Sequence, residues 1–212
     1  MSAPTLLLVA RHGETAWNAE GRIQGQIDVP LSEIGHGQAI ALARAIAHRR
    51  FDAIYASDLE RVRQTAAPAL RQFGLPVTLD PALRERHYGS FQEITYKEAK
   101  ARFPEAYARF AARDPEFDFV GGESLSGFAA RVTRCVEGIV ARHPGESLLV
   151  YTHGGVLDVL YRRATGKSLQ EKRDFDLPNA AINLIECRGA DWRVRAWAER
   201  AHLESTLDEP SL

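Results

Sequence analysis

The apolar run Leu6-Leu7-Leu8-Val9-Ala10 is too short and too unbroken for an amphipathic helix, and predicts a buried strand over residues 5–10. After it, Ile34, Gln38, Leu42 and Ile46 recur every four residues, so residues 31–50 predict a helix that starts near Ser32 and Glu33. Residues 51–56 predict a second strand, and 58–73 a second helix capped by Ser57 or Asp58, with Pro68 expected to kink or shorten it. A short third strand follows at 76–80. The stretch 84–122 is less regular, with a helix over 96–112 interrupted near Pro104. A long helix at 124–143 ends at Pro144-Gly145, and then come a strand at 147–152 and a helix at 154–164. Residues 180–187 and 192–198 alternate in side-chain type around the turn Arg188-Gly189-Ala190-Asp191, which predicts a hairpin.

Strands alternating with helices predict an α/β fold. The expected form is a three-layer sandwich with a mainly parallel central sheet covered on both faces, plus a C-terminal antiparallel hairpin. No repeat or linker divides the chain. Residues 1–205 are expected to form one domain with a lid-like insertion at about 86–122, and residues 206–212 a polar, mobile tail.

Composition narrows the function classes. The 212 residues are long enough for a substantial core, and 45% apolar with 26% charged residues is ordinary for a globular domain. A formal net charge of −1 argues against bulk electrostatic binding of nucleic acid. No stretch is long enough for a membrane span, and the first apolar run lacks the basic lead and length of a secretory signal. Cys135 and Cys187 form no CxxC pattern and suit free thiols in a reducing, cytoplasmic setting.

In a parallel sheet, ligands bind outside the carboxyl ends of the strands. The predicted strand ends carry Arg11-His12-Gly13-Glu14, Ser57-Asp58-Leu59-Glu60-Arg61, Leu83-Arg84-Glu85-Arg86-His87-Tyr88-Gly89 and Thr152-His153-Gly154-Gly155. Each has a bland counterpart. His153 suits a helix start, Arg61 a solvated first turn, and Glu85 a surface salt bridge beside Arg84 and Arg86. Jointly they bring histidines, arginines and a carboxylate to one rim, the donors and nucleophile that a phosphate calls for. Other signals fail. Gly166-Lys167-Ser168 lacks the earlier glycine of a P-loop because Tyr161 stands there, the histidines have no HExxH spacing, and no GxGxxG follows a strand. Trp192 and Trp197 suit hairpin packing. Tyr96, Phe103, Tyr107 and Phe110 share a helical face, suited to packing or to lining a substrate lid.

The segments Arg11-His12-Gly13-Glu14-Thr15-Ala16-Trp17-Asn18, Gly21-Arg22-Ile23-Gln24-Gly25 and Asp28-Val29-Pro30-Leu31-Ser32 resemble the opening signature of the histidine phosphatase superfamily, in its phosphoglycerate mutase-like branch. Ser57–Arg61 with Gln64-Thr65-Ala66, then Leu83-Arg84-Glu85 with Tyr88-Gly89, then Gly122-Glu123-Ser124 and Thr152-His153-Gly154 follow in family order. The resemblance implies a phosphoryl-transfer enzyme in which His12 attacks phosphorus and becomes a phosphohistidine. His12 must then be neutral, with its other nitrogen held by a backbone carbonyl. Arg11, Arg61 and His153 are implied around the phosphoryl oxygens, with Asn18 a further donor and Gln24 and Gly154 weaker candidates. Glu85 is implied as general acid and then base, which calls for partial burial or an acidic neighbour. No metal and no cofactor is called for.

A phosphatase passes the phosphoryl group to water; a phosphoglycerate mutase, an isomerase, returns it to the substrate. Arg86-His87-Tyr88-Gly89 resembles the mutase form of the motif, but residues 90–120 are shorter than the insertion of cofactor-dependent mutases. The compact form favours a phosphatase acting on a small phosphorylated metabolite. A non-catalytic phosphate-binding protein would lack a nucleophile or acid, and neither is missing. The terminal strands offer an edge for a homodimer.

Overall fold

The computed structural model describes residues 3–204. Six strands form one sheet: β1 (Thr5–Arg11), β2 (Ala53–Ala56), β3 (Val77–Leu79), β4 (Ser147–Thr152), β5 (Ile182–Arg188) and β6 (Asp191–Glu199), in the order β3-β2-β4-β1-β5-β6. The first four are parallel. β5 runs antiparallel to β1 and β6 antiparallel to β5, with Gly189 and Ala190 as the hairpin loop. The expected architecture is borne out.

The helices are α1 (Ala16–Ala19), α2 (Glu33–Ala45), α3 (Glu60–Phe73), α4 (Tyr96–Arg102), α5 (Pro104–Ala111), α6 (Leu125–Arg142), α7 (Gly154–Thr165) and α8 (Ala201–Glu204). Because strand side chains alternate, the apolar run of β1 serves both faces. Leu8 and Ala10 pack with Leu42 of α2 and Val62 and Ala66 of α3. Leu7 and Val9 pack with Val132 and Val136 of α6 and Val156 and Leu160 of α7. A third apolar cluster, Ile23, Phe91, Ala99, Phe117 and Phe119, joins the segment 86–122 to the loop after β1.

This arrangement puts a topological switch point between β1 and β4. The helix after β1 lies on one face, the helix after β4 lies on the other, and a crevice opens between them at the carboxyl ends.

Several local expectations are corrected. The first long helix spans Glu33–Ala45, with the Ser32 side chain accepting from Gly35 N, and stops at Ile46. Ile34 is 56% exposed, so the inward face begins later than its spacing suggested. The helix across Pro68 is uninterrupted, since its buried face of Val62, Thr65, Ala66 and Ala69 holds both halves against the sheet. Its cap is Leu59, with no side-chain bond from the cap residue. Asp28 Oδ1 instead accepts the Glu60 N–H at 2.7 Å, and Ser57 and Asp58 have other partners. The interruption at Pro104 separates α4 from α5 as expected. Residues 206–212, expected to form a polar, mobile tail, fall outside the described residues.

Candidate active site

Strand register assembles the centre. Arg11 of β1 is opposite Thr152 of β4, and His12 N–H donates to Thr152 O at 2.9 Å. His12 and His153 therefore leave adjacent strands abreast, their ring centroids 5.3 Å apart. On the other side of β4, Ala56 pairs with Tyr151 and Ser57 N–H donates to Tyr151 O, which brings Ser57 beside His153. Three residues far apart in sequence become neighbours because parallel strands end together.

His12 is 3% exposed, and its Nδ1 lies 2.7 Å from Gly13 O. A carbonyl only accepts, so the proton sits on Nδ1 and the Nε2 lone pair is free. Burial, then Arg61 and Arg11, push its pKa well below the ordinary imidazole value, against the opposing pull of the Gly13 carbonyl. The free protein thus holds His12 neutral at pH 7.

Gly13 has no room for a side chain. A Cβ there would meet Gly35 O at 2.5 Å, and its N–H donates to Thr65 Oγ1 at 2.9 Å. This close approach to α2 and α3 anchors the turn that carries His12.

The cations are held by backbone carbonyls. Arg61, only 1% exposed, donates from its two η nitrogens to Ile27 O (2.9 Å) and Gly25 O (2.7 Å). Burial lowers its pKa to about 10, so it remains a cation at neutral pH. Arg11 donates from one η nitrogen to Leu177 O at 2.5 Å. Arg11 Nε, Arg61 Nε and His153 Nδ1 are buried without a hydrogen-bond partner, three donor-capable groups concentrated beside His12. Unpaired buried polar groups are costly, so these three are left open to an acceptor from outside the protein.

His153 is fully buried and its pKa is pushed well down, first by burial and then by Arg61, His12 and Arg11. Its Nε2 lies 2.8 Å from Ser57 Oγ, which also receives Leu59 N–H at 3.4 Å. The Ser57 hydroxyl holds the ring through Nε2 and leaves Nδ1 without a hydrogen-bond partner among the described residues.

Glu85 does not arrive on a strand exit. β3 is at the sheet edge, and the chain is carried back by a 3-10 turn, Pro81–Leu83. Thr152 Oγ1 ties down Leu83 O at 2.8 Å, and Arg131 of α6 donates to the carbonyls of Ala82, Arg84 and Glu85 while gripping Glu123 with Nε and one η nitrogen. The half-buried Glu85 carboxylate accepts from Arg86 N at 2.8 Å and Gly155 N at 2.9 Å, and acts electrostatically on Arg11 and Arg61. The adjacent arginines do not pair with it. Arg84 forms a two-pronged pair with Asp58, and the buried Arg86 donates to Glu123 O and Phe117 O.

The weaker candidates are distributed around this core. Asn18 Oδ1 accepts from the Thr15 N–H and hydroxyl and, at 3.5 Å, from the Asn179 amide that also donates to His12 O, which leaves the Asn18 amide nitrogen as the donor. Gln24 is buried beside Gly25, with Oε1 unpartnered. A Cβ at Gly154 would lie 3.4 Å from Arg11 Nε, in ordinary contact with the guanidinium.

Sequence inspection assigned no role to Ser57 as His153's partner, to Asn179, to Arg131 or to Gly155. Only Ser57 and Gly155 carried a signal, each by adjoining a motif histidine or arginine segment. Among the described residues no group of three or more His, Cys, Asp or Glu could hold a metal ion, and no helix is long and apolar enough to cross a membrane.

Residues 7–200 match the histidine phosphatase superfamily, branch 1. The chain is 40% identical over 207 residues to a metal-independent phosphoserine phosphatase of Arabidopsis thaliana, covering 96% of this chain and 85% of that protein. It is 38% identical to phosphoglycerate mutase-like protein 4 of the same plant, covering 94% and 87%. A mycobacterial glucosyl-3-phosphoglycerate phosphatase superposes with a TM-score of 0.81 at 31% identity, covering 94% of this chain and all of that one (100%). With a match to the family over residues 7–200 and a relative 40% identical across nearly its whole length, this protein belongs to the histidine phosphatase superfamily.

Proposed function

We propose that this protein hydrolyses a small phosphomonoester through a phosphohistidine formed on His12. The observation that carries this is the His12 ring itself. It is neutral, its proton is held on Nδ1 by Gly13 O, and its Nε2 is free beside two buried arginines. In the first step Nε2 attacks phosphorus, the ester P–O bond breaks, and Glu85 gives its proton to the departing alkoxide. In the second step a water attacks phosphorus, Glu85 takes the water's proton, and the N–P bond breaks to release phosphate and neutral His12.

Arg11, Arg61 and His153 Nδ1 supply donors to the equatorial oxygens, with Asn18 contributing its amide nitrogen. Removing one such donor is expected to cost about 3–4 kcal/mol, or roughly 10²–10³ in kcat. The arginines supply the charge that a metal would otherwise bring.

Hydrolysis is preferred over mutase chemistry because the segment between Glu85 and Gly122 is compact, with one 3-10 turn and two short α-helices around an aromatic cluster. The protein is assigned to the cytoplasm, where thiols such as Cys135 and Cys187 stay reduced; burial pushes both up to about 12. Its partners are taken to be small phosphorylated metabolites rather than nucleic acid. A homodimer through the β3 or β6 sheet edge is part of the same proposal.

Incubation with 4-nitrophenyl phosphate and with 3-phosphoglycerate separates the alternatives. Phosphate release from the aryl ester that disappears in His12→Ala supports the proposal. Interconversion of phosphoglycerates at a much higher rate overturns hydrolysis, and absence of acid-labile phosphate on His12 during turnover overturns the covalent route.

A further inference from the structure

Gly155, whose N–H holds Glu85, also lines a cavity of about 430 Å³. Its walls include Tyr88, Tyr96 and Phe110 from the insertion, while Arg113, Lys172 and Arg173 bring charge to it. Cations outnumber carboxylates in this lining, because Asp158 is its one acidic member.

Asp158 of α7 organises the charge. It is almost fully buried, and its Oδ2 accepts from Arg113 (2.6 Å) and Arg162 Nε (3.0 Å), its Oδ1 from Arg173 Nε (3.0 Å). These arginines come from the turn after α5, from α7 itself and from the loop between α7 and β5. Stapling the three segments together would explain Arg113 and Arg162. Arg113 also bonds Leu169 O, and Arg162 uses both η nitrogens on Ser168 O and Glu171 O.

Stapling does not explain Arg173 or Lys172. Among the described residues no hydrogen bond engages the η nitrogens of Arg173 or the ammonium of Lys172. The nearby acids are already committed, Asp174 to Lys167 at 2.7 Å and Glu171 to Ser168 N at 2.6 Å. One carboxylate among three guanidiniums leaves excess positive charge, and Lys172 adds to it. Arg173 is also near enough to Arg11 to lower that residue's proton affinity, which puts it within electrostatic reach of the phosphate-binding cations.

We propose that Arg173 and Lys172 form a receptor for a second anionic group on the alcohol portion of the substrate, with Asp158 as the residue that positions Arg173. This rests on the hydrolase assignment and narrows its substrate class. The substrate is a phosphomonoester whose alcohol carries a further oxyanion, a carboxylate or a second phosphate, seated against the aromatic wall. A neutral alcohol would offer no partner to the Arg173 η nitrogens or the Lys172 ammonium, which is the basis of discrimination.

The test measures calorimetric affinity in a His12→Ala background, where ligand binds without turnover, for three probes of one carbon skeleton. These are 3-phosphoglycerate, glycerol 3-phosphate and glycerol 1,3-bisphosphate. The proposal expects the carboxylate or the bisphosphate probe to bind about tenfold to a hundredfold tighter than glycerol 3-phosphate, the range for a charge-assisted contact. Which of the two gains identifies the source of the oxyanion. Adding Arg173→Met or Lys172→Met should shrink that ratio at least threefold. Lys172→Glu, an exposed change that leaves Asp158 untouched, should shrink it further. Equal affinity for all three probes, or a ratio that survives these substitutions, overturns the receptor. Loss of His12-dependent hydrolysis in the otherwise unchanged protein would instead overturn the hydrolase assignment, while the binding ratios would still report on the receptor.

Discussion

Gly155→Ala tests whether Glu85 is the proton carrier by displacing its carboxylate without replacing the residue itself. A Cβ at this position would lie 2.0 Å from Glu85 Oε1 and 3.2 Å from Phe128 Cε1. Nonbonded contacts of carbon settle near about 3.5 Å, so the carboxylate must retreat by roughly 1.5 Å, losing its 2.9 Å bond from Gly155 N. The obstructing atom is the end of a flexible side chain, and alanine is about 1 kcal/mol better than glycine within a helix. The melting temperature should therefore change little.

Catalysis should not be spared. A displacement of about 1 Å at a reacting group can cost on the order of 10² in rate, so kcat for an alkyl phosphate is expected to fall about a hundredfold. An aryl phosphate has a leaving group that departs without a proton. Rapid-quench measurement with 4-nitrophenyl phosphate should therefore still show a first-turnover burst, followed by slow turnover, because activation of water in the second step needs Glu85. Wild-type kcat on an alkyl phosphate, or a variant structure with Glu85 unmoved, would refute the reasoning.

Ser57→Ala removes the hydroxyl on His153 Nε2 and frees the imidazole to change tautomer. kcat/KM should fall by about tenfold, consistent with loss of one buried hydrogen bond at roughly 1–2 kcal/mol, with stability followed by thermal denaturation. Asp158→Ala leaves the buried Arg162 and its neighbour Arg113 uncompensated and should destabilise the fold by about 3–5 kcal/mol in urea denaturation. His12 and His153 resist protonation when folded, whereas the unfolded chain accepts protons near pH 6.5. Since the folded pKa values are depressed, their contribution is intact above about pH 6.5 and is lost as pH falls below it. The slope should approach about 2.7 kcal/mol per pH unit for two protons, and urea midpoints from pH 7 to 5 measure it. A flat profile would contradict the burial of two neutral imidazoles.

The parallel sheet was legible because unbroken apolar runs and four-residue spacings each correspond to one element. The helix bounds were less so. Ile34 shared the spacing of Leu42 yet faces solvent, since periodicity records a face and not where the neighbouring layer begins. Capping at α3 was misjudged for a similar reason. Ser57 and Asp58 are good cap residues locally, but His153 and Arg84 engage them, and Asp28 caps from a distant loop.

His12, Arg61, Glu85 and His153 were recognisable in the sequence as residue types at motif positions. The chain alone determined which chemistry was available and, through the alternation of β1, which side chains enter each core layer. The tertiary structure decided the ionisation and the aim of those groups. Parallel register between β1 and β4 set the two imidazoles side by side, burial with Arg11 and Arg61 made them neutral, and Gly13 O chose the tautomer of His12. Gly155 and Arg131 show the same division: neither carries chemistry in its own right, and each matters only through the distance at which the fold sets it from Glu85. Electrostatic and hydrogen-bond energies depend on separation and exposure, quantities that no local stretch of sequence contains.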